Sequence, residues 1–173
     1  VNQATTDAYG CTPLYAAVGR GHLDIVRCLA FEAQANVNQA RTDAGSTPIF
    51  MAAQEGHLDI VRFLALEAQA NVNQATTDDG STPIFIAAQR GDLEIVRFLA
   101  LEAQAAVHPA RADKATPLAI AAEKGDLDVV RFLALEAQAN VNQAKTNNGC
   151  TPIYIAVQQG HLKIIRFLIQ AGA

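Results

Sequence analysis

"STPIFMAAQEGHLDIVRFLALEAQANVNQA", residues 46–75, decides the fold, because most of it is written again at residues 81–110. Residues 41–75 and 76–110 agree at 26 of 35 positions. The Thr-Pro pair recurs with threonines at 12, 47, 82, 116 and 151, in steps of 35, 35, 34 and 35. The closing phrase "EAQANVNQA" fills 32–40, 67–75 and 136–144, and reads "EAQAAVHPA" at 102–110. Self-similarity at a fixed period of this size marks a tandem array, and it has to be settled before any single residue is read.

Each unit carries its own start and stop signals. Thr47 caps a helix through its hydroxyl, and Pro48 suits the first helical position. Ile49, Ala52 and Ala53 then fall on one narrow apolar face, and Gly56 ends this short helix in a left-handed residue. A second helix is predicted from about His57 to Ala68, with Leu58, Val61, Leu64 and Ala65 on a shared stripe that Ile60 and Phe63 widen. "NVNQA" and a polar turn such as "RTDAGS" or "TTDDGS" follow, rich in residues that tolerate turn geometry. No unit can bury its apolar face alone, but stacked neighbours can.

"GSTPIFMAAQEGHLDIVRFL", residues 45–64, resembles the ankyrin repeat, with its TPLH-like opening, its AA, its GH and its LEIV-type second helix. The resemblance recurs in five units and covers nearly the whole chain. It implies a mainly α fold: an α-solenoid of stacked helix-turn-helix repeats with projecting β-hairpin or loop turns. The chain is expected to form a single domain, with residues 1–4 as the tail of a preceding repeat and repeats at 5–40, 41–75, 76–110, 111–144 and 145–173. The units are longer than the usual period of about 33. One extra residue lies in "RFLALEAQA", which is one longer than "RFLIQAGA" at 166–173, and the other lies in the turn before the next Thr-Pro. The family's helix-ending glycine survives as Gly172; elsewhere that slot holds Gln34, Gln69, Gln104 and Gln138. Asn36, Asn71 and Asn140 are expected to supply the left-handed turn instead. The family's TPLH histidine is replaced by Tyr15, Phe50, Phe85, Ala119 and Tyr154.

Composition narrows the function classes. Half of the 173 residues are apolar and 17% are charged, which fits a folded chain with a core. A net charge of −4 gives nucleic acid no electrostatic footprint. No apolar run approaches the roughly 20 residues a bilayer requires. Cys11, Cys28 and Cys150 lack zinc or disulfide spacing and read as reduced thiols of an intracellular, cytoplasmic protein.

Several residues invite a chemical reading and have a simpler one. His22, His57 and His161 follow the mid-repeat glycine, but Asp92 and Asp126 fill the same slot, so capping is expected and no metal. Arg27, Arg62, Arg97 and Arg131 each follow Asp24, Asp59, Glu94 or Asp128 by three residues, so local ion pairs are expected. Lys163 beside Arg166 leaves the last repeat a small positive excess. No serine elbow, phosphate loop or HExxH is present, so no catalysis and no cofactor are expected.

The resemblance implies instead that another protein docks on the turn tips and the exposed side of the first helices. Carried over position by position, those slots are Gly19–Arg20, Gln54–Glu55, Gln89–Arg90, Glu123–Lys124 and Gln158–Gln159. Their charge varies while the flanking frame hardly changes, as on a recognition surface or a drifting solvated one. Tyr15, Phe50, Phe85 and Tyr154 lie four residues earlier on nearly the same face, as a binding ladder or as packing between repeats. Tyr9 sits in a first turn one residue longer than those at 40–47, 75–82 and 144–151. The fourth unit breaks step: its turn lacks glycine, His108–Pro109 replaces Asn–Gln, and Ala106 forfeits the asparagine, so the junction of repeats three and four is expected to be the weakest. The leading function is a non-catalytic protein-interaction module working through its concave face. The alternative is a consensus-like or engineered scaffold with no natural partner, and self-association through incompletely capped ends is a third possibility for its contacts.

Overall fold

The structure, a computed structural model, describes residues 10–108, 111, 113, 115–145 and 149–173. Among these residues the elements are helical, and no strand is present. First helices are α1 (Pro13–Gly19), α3 (Pro48–Glu55), α5 (Pro83–Arg90), α7 (Pro117–Lys124) and α9 (Pro152–Gln159). Second helices are α2 (Leu23–Arg27), α4 (Leu58–Arg62), α6 (Leu93–Arg97), α8 (Leu127–Leu135) and α10 (Leu162–Gln170). The chain forms two compact units, Val1–Pro83 and Ile84–Ala173. In the first, α1 packs on α3 and α2 on α4; in the second, α7 packs on α9 and α8 bridges α6 and α10. First helix lies on first helix and second on second, the stacking of an ankyrin-type solenoid.

The start signals act as the sequence predicts. The N–H groups of Tyr15, Phe50, Ala119 and Tyr154 donate to the hydroxyls of Thr12, Thr47, Thr116 and Thr151, over 3.1 to 3.4 Å. Gly56, Gly125 and Gly160 close their helices with φ of 81°, 89° and 77°. The first helices stack closely because their facing residues are small: Ala52, Ala53, Ala87, Ala88, Ala121 and Ala122 are fully buried. In the second helices the deepest residues are Ile60, Val61, Phe63 and Leu64, while Leu58 and Ala65 of the expected stripe are half-buried. The helix is pressed on two sides, so its apolar face is wider than a single stripe.

The extra residue in the second helix is absorbed as a π turn. Cys28–Glu32, Phe63–Glu67 and Phe98–Glu102 continue α2, α4 and α6 with π-type bonding, so the element spans the predicted length with a different ladder. The closing bond widens accordingly. Ala70 N–H donates to Leu64 O, six residues back, over 2.8 Å, whereas Ala173 N–H donates to Leu168 O, five back, over 3.0 Å. The five-back bond is the usual helix closure, and one inserted residue adds one residue to the ring. α8 has the same six-back bond, from Ala139 to Leu133 over 2.8 Å, at the end of a regular helix.

One expectation about this exit is corrected. The left-handed residue is the glutamine and not the asparagine: Gln34, Gln69, Gln104 and Gln138 have φ of 51°, 55°, 53° and 54°. The widened ring still ends one residue before the closing alanine, which places the turn at Gln69 and leaves Asn71 outside it. The asparagines accept instead, since Oδ1 of Asn36, Asn71 and Asn140 takes the N–H of Asn38, Asn73 and Asn142 over 2.9 to 3.0 Å. Of the β-hairpin and loop forms expected for the projecting segments, the described residues show loop turns. Arg41 N–H donates to Ser46 O (3.0 Å) and Gly45 N–H to Arg41 O (3.1 Å), which closes the loop too soon for a ladder.

Candidate functional site

The first-helix slots come to the surface beside buried alanines. Arg20, Glu55, Arg90 and Lys124 are exposed, as are Gln158 and Gln159, while Gly19, Gln54, Gln89 and Glu123 are half-buried. Gln54 Nε2 donates to Glu55 Oε1 over 3.3 Å. In the second unit the exposed slots run Arg90, Lys124, Gln159, a cationic patch that Glu123 does not offset, because Lys145 Nζ holds it at 3.4 Å. Of the aromatic positions, Tyr15, Phe50 and Phe85 are 4%, 7% and 1% exposed, whereas Tyr154 is 52% exposed. The first three rings are therefore enclosed by packing, and Tyr154 alone of the four faces solvent. Tyr9 lies outside the described residues.

The enclosed rings anchor the turns above them. Tyr15 OH and Ser46 Oγ share a hydrogen bond of 2.7 Å, and the Arg41 guanidinium stands 5.6 Å over the Tyr15 ring while pairing with Asp43. In the second unit Arg111 stands 5.2 Å over Phe85 and lies 3.5 Å from Asp113. Burial pushes the Tyr15 phenol above its ordinary value, although Ser46 and Arg41 pull the other way. Desolvation acts upward on the Asp43 carboxyl, but the Ala44 N–H and Arg41 outweigh it and hold it below the ordinary carboxylate range. Sequence reading passed over these turn cations. Their signal was a basic residue at the same register in three of the five turns, Arg41, Arg111 and Lys145, with Thr5 and Thr76 in the other two. Thr76 substitutes a hydroxyl that accepts from Ser81 N–H (3.0 Å) and donates to Asp79 (2.9 Å).

The slot after the mid-repeat glycine joins repeats, and the capping expectation holds at one position. Asp92 accepts from Ile95 N–H (3.0 Å), but His22, His57, His161 and Asp126 make no side-chain cap. The His57 ring lies over Gly21, where a Cβ would fall 2.9 Å from Cε1. The His161 ring lies over Gly125 at 2.7 Å by the same measure, and Asp126 covers Gly91. His161 Nε2 is also 3.0 Å from Glu123 O. Gly21, Gly91 and Gly125 are thus sockets for the next repeat's side chain, a role invisible while units are read singly.

The expected pairing of Arg27 and Arg97 with the acid three residues earlier is corrected in the same sense. Arg27 pairs with Glu67 and Arg97 with Glu136 (3.2 Å), each the acid at the end of the next repeat's second helix. The guanidiniums of Arg27, Arg97 and Arg131 also cover Phe63, Phe132 and Phe167 at 4.9, 5.2 and 5.8 Å. Asp59 turns to its own backbone, accepting from Ile60 N–H at 2.8 Å. Stacking brings the distant acid and ring closer than the local carboxylate, which only the assembled array reveals.

Cys11, Cys28 and Cys150 are free thiols. Among the described residues, no three His, Cys, Asp or Glu side chains gather at metal-binding distance, and no helix is long and apolar enough to cross a membrane.

No curated protein matches the chain. A family model of ankyrin repeats in three copies matches it four times in overlapping registers, at residues 1–76, 30–110, 66–145 and 103–173. The stacked helix pairs, the threonine caps and this match along the full length agree: the chain belongs to the ankyrin repeat family.

Proposed function

We propose that the chain is a non-catalytic recognition module that binds another protein along the concave side formed by its first helices and turn tips. Ankyrin repeats are in general protein-interaction modules. The observation that carries the reading is the contrast within each first helix: fully buried alanines at 52, 53, 87, 88, 121 and 122, against exposed slots that change from Arg20 to Glu55, Arg90, Lys124 and Gln159. Packing dictates the first set and leaves the second free to encode a partner. Tyr154 adds an exposed aromatic of the kind that anchors interfaces. Arg90 and Lys124 favour a partner segment bearing acids opposite the second unit. A second copy of the chain is also a protein partner under this reading, through the ends of the stack. The proposed setting is intracellular, where the free thiols stay reduced.

The test compares affinity capture from cell lysate by the wild-type chain, by a triple variant Arg20→Glu, Arg90→Glu, Lys124→Glu, and by a control Arg131→Glu on a second helix. A saturable partner retained by wild type and control but lost by the triple variant is expected. Retention by all three would sink the first-helix assignment. No saturable partner for the wild type would favour the second reading, a structural scaffold, for which the near-identity of repeats is the supporting observation.

A further inference from the structure

One first-helix slot departs from the others, and nothing in the packing calls for the departure. Gly19 stands where the other repeats hold Gln54, Gln89, Glu123 and Gln158. It is the last residue of α1 and is helical, so no left-handed turn requires a glycine there. No close approach requires one either. A Cβ on Gly19 would lie 3.7 Å from Met51 Cγ and 3.8 Å from Met51 Sδ, which are ordinary contact distances. A glycine in a helix weakens it relative to alanine. At Gly19 that cost brings neither conformational freedom nor closer packing.

What the missing side chain does provide is access. Met51 of α3 lies against the bare slot and is half-buried. In the second unit, where Gln89 and Glu123 fill the slot, Ile120 and Ile155 hold the position of Met51 and are 7% and 4% exposed. The first unit therefore has an apolar notch on its first-helix side, floored by the chain's single methionine. A methionine side chain is unbranched and polarisable, and it adapts to the shape set against it. Two charges flank the notch. Glu55 is engaged by the Gln54 amide at 3.3 Å, whereas Arg20 is exposed and makes no ion pair among the described residues. Exposure belongs to that slot in every repeat, since Glu55, Arg90, Lys124 and Gln159 share it.

We propose that Gly19 sets partner specificity: the first unit takes a protein segment that lowers an aliphatic side chain, of the leucine or methionine kind, onto Met51 and sets an acid against Arg20. This specificity rests on the recognition role proposed above and names the side chains that are read. Burial of the incoming side chain against Met51 supplies affinity, and the acid opposite Arg20 fixes its register. A glutamine in the slot would occupy the notch and press an amide without a hydrogen-bond partner against the apolar group.

Phage-displayed random peptides are the probe. Selection on the wild-type chain is expected to enrich leucine, isoleucine or methionine at one position, with aspartate or glutamate close to it. Replacing that apolar residue by alanine in a selected peptide should weaken binding to wild type at least about tenfold. Gly19→Gln introduces the residue of other repeats and should melt no lower than wild type. It should bind the parent peptide at least about tenfold more weakly, yet lose less than about twofold on the alanine replacement, because both changes remove one contact. Arg20→Glu should turn the enriched acid into a base and keep the apolar position. Full-strength binding of the parent peptide by Gly19→Gln overturns the proposal, as does an enriched motif without an apolar residue, or no enrichment at all. The recognition role is decided separately by capture from lysate: a partner retained there, with no such peptide preference, removes the notch and leaves the role standing.

Discussion

At Gln69 a side chain occupies a backbone conformation that ordinarily favours glycine, with φ of 55°. The left-handed region costs an L-residue about 1–2 kcal/mol, and glycine escapes most of it. Asn71, two residues on, works through its side chain, with Oδ1 taking the Asn73 N–H and its own N–H donating to Asn38 Oδ1 of the previous turn at 2.8 Å. Gln69→Gly is therefore expected to raise stability by about 0.5–1 kcal/mol, and Asn71→Ala to lower it by about 1 kcal/mol. Urea unfolding of the two variants checks the assignment, and the opposite order would return the left-handed role to the asparagine. The threonine caps and Gly56 were legible in the sequence because their partners lie within four residues. The glutamine was not, because its conformation follows from how an inserted residue is spread around a closing ring. The arginine partners were not, because Glu67 and Glu136 become neighbours only once repeats stack.

At the scale of the element, the repeat exit explains the fold's regularity and singles out the junction of repeats three and four for a test. The inserted residue was visible by counting, yet counting could not say whether it would lengthen the turn, loop out or widen the helix. It widens the helix in the first three repeats, and it places Phe31, Leu66 and Leu101, each more than half exposed, on the outside of that widened segment. The third exit makes the same six-back closure, Ala105 N–H to Leu99 O at 2.7 Å, but has Ala106 where the others hold asparagine. An alanine has no side-chain oxygen for the turn that follows. Ala106→Asn is expected to add about 1 kcal/mol by restoring an acceptor for the residue 108 N–H, and to slow amide exchange around residues 105–108. Exchange there already as slow as around residues 70–73 would show that the junction is not the weak one.

For the molecule as a whole, stability is approximately a sum of repeats and nearest-neighbour interfaces. Leu133 in α8 and Leu168 in α10 are both fully buried, but α8 packs against α6 and α10, whereas α10 packs against α8 on one side. Leu133→Ala is expected to cost about 2–5 kcal/mol and to speed amide exchange in the helices on both sides. Leu168→Ala should release α10 first and leave α6 protected; equal loss of protection in α6 from both variants would mean that the repeats unfold as one block. The division into five units and their stacking were legible from the period alone. The recognition surface was legible only as the positions packing leaves free, since a partner writes nothing into the sequence that geometry can complete.

The backbone bonds that link one turn to the next have a mechanical meaning. In the first unit Thr77 N–H donates to Ala44 O at 2.9 Å and Asn71 N–H to Asn38 Oδ1 at 2.8 Å, so two ties join one repeat to the next beside the helices. Within that unit, a pull that parts the two repeats loads these short ties together with the packed helices beside them. Such a step resists parting while its ties hold, and once they break it opens by one whole repeat.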